Sequence, residues 1–217
     1  MDSWSGSADR PQALPLEMRL PPDRSLPNYR MRWLVMAIEE QMGAHGLRMI
    51  LRQSDLTRYL ESLPPANDEL QSRAAEYARL LTTVRTYFGL GARGTLTRIG
   101  RSIFRNQVAQ RPLLNARRKI IGPFLSTQSK LAWILNQLAS EMAAPNGQVR
   151  VSRAGEGFWL VDETFDRTLG VVAEHPICWS TVGELAEAVT WMTREEVPIR
   201  EVDCRASGKE ACRFAVL

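Results

Sequence analysis

Cysteine and histidine are scarce in this chain of 217 residues, with three of the first and two of the second. With only His45 and His175 available, a multi-histidine metal site is excluded, and any Ser-His-Asp or Cys-His nucleophile would have to use one of these two. His175 precedes Pro176 and reads as a turn residue; pairing it with Cys178 as base and nucleophile is closed if Cys178 holds a metal. An odd cysteine count fits a reducing compartment better than a disulfide scaffold. No apolar run approaches the roughly 18 residues a spanning helix needs. The opening Met1–Gly6 lacks the basic start and apolar stretch of a signal peptide, so a cytoplasmic location is expected. No internal repeat is evident.

Acidic residues are missing over a long stretch. Between Tyr77 and Ser140 there is none, while Arg79, Arg85, Arg93, Arg98, Arg101, Arg105, Arg111, Arg117, Arg118, Lys119 and Lys130 supply eleven positive charges. Such a surface can attract nucleic acid, anionic lipid or a carboxylated ligand. No aromatic-interleaved basic motif accompanies the arginines, so nucleic acid is not the expected partner. The ordinary reading is the solvated face of amphipathic helices, with an acidic partner left open. Glu156, Asp162, Glu163 and Asp166 cluster in turn; they read as a solvated loop between strands, not as paired general acid and base.

What is present is enough apolar character, 44% of residues, for one substantial core. Residues 1–27 carry Pro11, Pro15, Pro21, Pro22 and Pro27 with little periodicity and read as an extended or disordered arm. Residues 28–217 read as a single domain. Leu34, Val35, Ile38 and Met42 recur at helical spacing over Arg30–Met42, with Gly43 as the stop. A short helix is expected from an N-capping Ser54 to Leu63. A longer one follows Asn67 or Asp68, with Leu70, Ala74, Tyr77, Ala78, Leu81, Val84 and Phe88 on one stripe.

Gly89–Gly94 matches G-x-G-x-x-G, but a helix precedes it where a dinucleotide loop requires a strand, so it reads as a tight connection between helices. Further helices are expected over Thr95–Val108 and Ser126–Ala143. Beyond Gly147 the period shortens to about 2. Gln148–Arg153 and Gly157–Asp162 read as a hairpin, Thr181–Thr193 as a helix, and Val197–Cys204 with Cys212–Leu217 as a second hairpin. Helices over 28–147 followed by a mainly antiparallel sheet over 148–217 make an α+β domain.

All three cysteines fall in the last stretch. Cys204 and Cys212 face each other across the mouth of the second hairpin, and Cys178 stands before a helix. Three thiols and the Glu201 carboxylate form a plausible tetrahedral Zn(II) set, closed against substrate water and therefore structural. Glu201 lies three residues before Cys204, on the opposite face of a regular strand, so a bend or bulge is required. On spacing alone the better-founded alternative is three buried, reduced cysteines acting as small hydrophobes, because no C-x-x-C pair is present.

Pro176–Leu185 followed by Ile199–Phe214 resembles the C-terminal signature of the 4-vinyl reductase (4VR, hydrocarbon-binding) domain, a family that includes the sensor domains of phenol- and xylene-responsive regulators. The resemblance is specific over about 148–217 and looser, at the level of helix order, over about 28–147. It implies a structural zinc held by Cys178, Glu201, Cys204 and Cys212. It also implies a ligand-binding fold like that of vesicle-tethering subunits, homodimerisation, and an apolar or aromatic ligand between helices and sheet. Phe158, Trp159, Trp133, Tyr87, Phe88, Phe104, Phe124 and Trp179 are the candidates to line that space, although plain core is the ordinary reading of such aromatics. Phe158 and Trp159 are adjacent on a strand, so only one of them can face it.

In the phenol-sensing relatives a Trp and a His contact the ligand hydroxyl. Trp159 falls in the corresponding strand, but no histidine lies between His45 and His175, which argues against phenol. Those regulators also append an ATPase and a DNA-binding module, whereas this chain stops at Leu217 and is expected to signal through a protein partner. The reading is thus a stand-alone sensor or carrier domain with structural zinc. Two alternatives stay open: an enzyme or accessory factor of bacteriochlorophyll synthesis acting on a tetrapyrrole 8-vinyl group, for which no hydride-carrier site is found, and a dimeric assembly module.

Overall fold

A computed structural model describes residues 23–217. Most of the expected N-terminal arm, residues 1–22, lies outside the described residues. Its end does not behave as an arm. Ser25–Leu26 (β1) pairs antiparallel with Ser72–Arg73 (β2), Leu26 is buried, and Arg24 reaches across the molecule to Asp166. The folded body therefore includes residues 23–27.

Helix α1 spans Asn28–Gln53 and is broken at Gly43, whose φ of 71° is open to glycine without steric strain. The expected stop is real, but the helix resumes at once because Leu47, Ile50 and Leu51 carry the apolar stripe onward. Ser54 does not begin a helix. Its hydroxyl donates back to the Ile50 carbonyl at 2.8 Å and closes α1, leaving only a short α2 at Arg58–Glu61. Helix α3 spans Ala74–Phe88 and starts later than its apolar pattern suggests. The residues before it are drawn into tertiary bonds, with the Asn28 N–H donating to the Glu69 carbonyl and the Tyr29 N–H to that of Asn67; Leu70 is left exposed.

The glycine-rich segment is a single tight turn, Gly89–Gly91, leading into α4 (Ala92–Gln110). Helix α5 (Pro112–Ile121), with proline in its first turn, has no counterpart among the helices expected from periodicity. Ser126 caps α6 (Thr127–Ala143) by accepting from the Ser129 N–H. The sheet is antiparallel throughout, in the order β3 (Val149–Ala154), β4 (Gly157–Asp162), β6 (Cys212–Val216), β5 (Ile199–Asp203), and α7 (Trp179–Thr193) precedes β5.

Apolar residues gather into two cores. One lies among α1, α3 and the first half of α4; the other lies between the sheet's inner face and α6, α7 and the end of α4. Helices α4 and α7 cross backbone to backbone. A Cβ on Gly100 would stand 1.9 Å from the Ser180 carbonyl oxygen, and one on Gly183 would stand 2.0 Å from that of Thr97. Neither neighbour is a side chain that can turn aside. Gly183→Ala is therefore expected to reduce stability by about 3 kcal/mol, the upper end for overpacking, read as the midpoint shift in a urea melt. No described helix is long and apolar enough to cross a membrane.

Candidate metal centre and its surroundings

Three elements deliver four donor groups to one point. Cys178 occupies the N-cap position of α7, Cys204 follows β5 directly, and Cys212 opens β6. The Cys178 Sγ lies 3.9 Å from that of Cys204 and 3.6 Å from that of Cys212. With a Glu201 carboxylate oxygen, the four donor atoms fall within 4.8 Å of one another. These separations far exceed the roughly 2.05 Å of a disulfide, and all three cysteines are free and buried.

A bulge brings Glu201 onto the cysteine side. Glu201 pairs with Phe214 but Asp203 pairs with Arg213, so Val202 is an extra residue in β5 and the face of the strand changes between Glu201 and Cys204. The bend that the three-residue spacing demanded is thus present. One Glu201 oxygen accepts from the Cys178 N–H at 2.7 Å, whereas the other, Oε1, is buried without a hydrogen-bond partner.

The electrostatics describe a site short of positive charge. Burial, together with Cys204, pushes the Glu201 carboxyl up to about 8. Hydrogen bonds with the neighbouring thiols, and burial, hold the Cys178 thiol well above its ordinary range; bonds from Cys178 and Cys212 pull Cys204 strongly down. One thiolate forms at the expense of its neighbours, the behaviour of interacting acids packed without a counter-cation. Nearby partners favour charge on sulfur: the Arg205 N–H donates to the Cys212 Sγ at 3.4 Å, and the α7 N-terminus lies at Cys178. The donor set is thiolate-rich, closed and able to hold a metal.

The eight candidate ligand-lining aromatics do not share a space. Phe158 faces inward and Phe104 is buried in the same core, edge-on to Trp191; Trp133 is half-buried against that core. Phe88 and Trp179 pack against the other core. Trp159 points to the outer face of the sheet, because Phe158 and Leu160 on either side of it point in. Tyr87, one position from Phe88 around α3, is 53% exposed, and Phe124, beyond the lightly anchored α5, is 88% exposed. Trp159, Tyr87 and Phe124 therefore do not line an interior pocket.

Beside Cys178 lies a separate, water-sized space of about 10 Å³ between α3, α4 and the start of α7, walled by Leu81, Leu96, Ile177, Arg85 and Arg167. Arg167 is buried there with Nε and Nη1 lacking hydrogen-bond partners. His45 and His175 are both exposed.

The acidic loop is not solvated as expected. Asp162 and Asp166 are buried: Asp166 accepts from Arg24 (2.6 Å from both Nε and Nη2) and from Arg30 Nη1 at 2.7 Å, while Arg167 pairs with Glu184 and approaches Asp162 at 4.0 Å. Tyr77 lies between the Arg30 and Arg167 guanidinium groups. One signal was available in the sequence. Arg30 stands one turn before Leu34, on the helix face assigned to the core, and a cation at a core position requires a buried partner. Only Glu163 of the loop keeps to the surface, paired with Arg150.

The family model of the 4-vinyl reductase (4VR) domain matches residues 168–217, the span that carries three of the four elements around the donor cluster. An H-NOX protein from S. oneidensis in its Fe(II)NO ligation state shares the fold at TM-score 0.55 and 11% identity, over 86% of this chain and 97% of that one. The unliganded Fe(II) H-NOX protein from K. algicida does so at 0.56 and 12%, over 88% and 95%. A third neighbour, described through modulation of heme redox potential by porphyrin distortion, aligns at 0.50 and 12%, over 88% and 98%. No curated protein sequence matches the chain. At these identities the structural likeness establishes the α+β fold, and the C-terminal segment, residues 168–217, belongs to the 4-vinyl reductase domain family.

Proposed function

We propose that the chain is a small-molecule-binding domain, a sensor or carrier for an apolar or aromatic ligand, built around a structural zinc ion held by Cys178, Glu201, Cys204 and Cys212. The observation that carries the zinc is the orphaned, buried Glu201 Oε1 beside three thiols at tetrahedral spacing. Zinc–thiolate bonds of about 2.3 Å in a tetrahedron give S···S edges of about 3.8 Å, against 3.6 and 3.9 Å between Cys178 and its two partners. When bound, zinc would supply the missing positive charge and tie the start of α7 to both strands of the last hairpin.

The ligand reading draws on the 4-vinyl reductase family match and on the space beside Cys178, where the free Arg167 donors meet the side chains of Leu81, Leu96 and Ile177. Apolar walls with one or two placed donors suit an aromatic molecule bearing an acceptor group. Because the space is water-sized here, binding requires the seam between α3 and the start of α7 to open.

A second reading, a tetrapyrrole-binding accessory factor, draws on the fold shared with heme-described neighbours. With both histidines at the surface, it does not extend to an axial histidine.

Native mass spectrometry of the purified chain separates these readings. One zinc per chain, with a retained aromatic adduct or a thermal shift toward aromatic acceptors, is the expected result; a tetrapyrrole-sized adduct would favour the second reading. A chain that carries no zinc and gains none on titration would overturn the metal assignment.

A further inference from the structure

Helix α5 presents its apolar side to solvent. Of its ten residues only Leu114 is buried. Leu113 and Ile120, seven residues apart and so on one helical face, are 74% and 67% exposed, and Phe124 just beyond is 88% exposed. Cations surround them. Arg118 and Lys119 from α5, Lys130 from α6 and Arg194 after α7 line a cleft of about 390 Å³, with Arg117 on the outward side of α5.

None of these five cations has an ion-pair partner among the described residues. Elsewhere in the acid-free stretch, Arg101, Arg105 and Arg111 are paired with Glu187, Glu40 and Glu141. Glu195 and Glu196 follow Arg194 in sequence, but neither lines the cleft. Burial and the like charge of Arg194 both lower the Arg118 pKa, as expected of cations crowded together without an anion.

We infer that this face, formed by α5 and the turn after it with Lys130 and Arg194, docks on an anionic membrane surface, the cations meeting lipid phosphates and carboxylates while Leu113, Ile120 and Phe124 enter the headgroup boundary. A basic helix with an exposed apolar stripe has the composition of an interfacial anchor. A second copy of the chain is the poorer occupant: a two-fold contact sets a patch against itself, and here that would press uncompensated cations together. The large aliphatic side chains at its centre also distinguish it from a surface that reads only phosphates. The inference does not depend on the zinc site or on any internal ligand.

Sedimentation of the full chain with vesicles tests it. Binding to equimolar phosphatidylserine and phosphatidylcholine, absent on pure phosphatidylcholine and weakened by salt, is expected. At roughly a factor of five per cation near the surface, the triple variant R117Q/R118Q/K119Q should lose about a hundredfold in partitioning. Phe124→Ala with Ile120→Ala should weaken binding while leaving the melting temperature unchanged. No sedimentation with the anionic vesicles, or equal binding to neutral ones, would overturn the inference. So would a concentration-dependent dimer that the triple variant abolishes, which would assign the face to a second copy instead.

Discussion

Cys204→Ser is expected to purify without stoichiometric zinc and to melt about 10–20 °C below the parent chain. That range takes about 5 kcal/mol for loss of a structural metal at about 2–4 °C per kcal/mol for a domain of this size. Cys204 is fully buried and, with Cys178 and Cys212, forms the thiolate face of the cluster. A serine hydroxyl is a harder and far less acidic donor and does not replace a thiolate on zinc. Losing the ion would leave Glu201 Oε1 buried without a partner and two thiols with nothing to join. It would also release the tie between residues separated by 26 and 34 positions along the chain; structural zinc supplies folding free energy largely through such closure.

Controls make this result specific. A strong chelator should lower the parent's melting temperature toward that of Cys204→Ser and leave the variant's unchanged. Glu201→Gln should cost less, because its side-chain carbonyl can still accept from the Cys178 N–H and three thiolates remain. Full metal content and an unshifted melt in Cys204→Ser would return the cysteines to ordinary core residues.

Period and punctuation in the sequence are enough to locate much of this architecture. The change from helical to alternating spacing after Gly147 marks the start of the sheet, and Gly157–Asp162 is a strand over those same residues. The demand for a bend between Glu201 and Cys204 is met by the extra Val202. Local signals fail where long-range contacts outweigh local preference. Ser54 suits an N-cap, yet the continuing apolar stripe of α1 makes it a terminator. The approach to α3 carries helix-forming residues, yet pairing between β1 and β2 holds it extended. Helix α5 is hidden because its apolar residues face outward, so no core-facing stripe exists to be read. Asp162 and Asp166 read as solvated because their partners, Arg24, Arg30 and Arg167, are supplied largely by a distant part of the chain.

That buried network supports the second large effect. Asp166→Asn is expected to reduce stability by about 3–5 kcal/mol, the range for removing one partner of a buried ion pair, or about 6–20 °C in melting temperature. Asp166 is 0% exposed and holds two guanidinium groups at once. An asparagine would turn one accepting oxygen into an N–H facing other N–H donors and leave Arg30 buried with its charge uncompensated. By contrast, Arg150→Gln, which breaks an exposed pair with Glu163, should change stability by less than about 1 kcal/mol. Exchanging Arg30 for Met together with Asp166 for Leu should recover much of the loss, since an apolar pair leaves no stranded charge and Arg24 can turn toward solvent.

The pH dependence follows from the same contacts. Burial pushes the Asp166 carboxyl up, but Arg30 and Arg24 more than offset it and hold its pKa below the ordinary value. A depressed carboxylate contributes its full stability above the unfolded value of about 3.9 and loses it as pH falls through the folded one. The parent should therefore weaken steeply below about pH 4, and Asp166→Asn should lack that component when urea melts at pH 7 and pH 3 are compared. Because Asp166 joins Arg24 before β1 and Arg30 in α1 to the segment between β4 and α7, it also couples the two hydrophobic cores. Broadening or splitting of the unfolding transition in Asp166→Asn is the expected sign of that coupling. One sharp transition at the parent's midpoint would instead show that the network contributes no more than a surface pair.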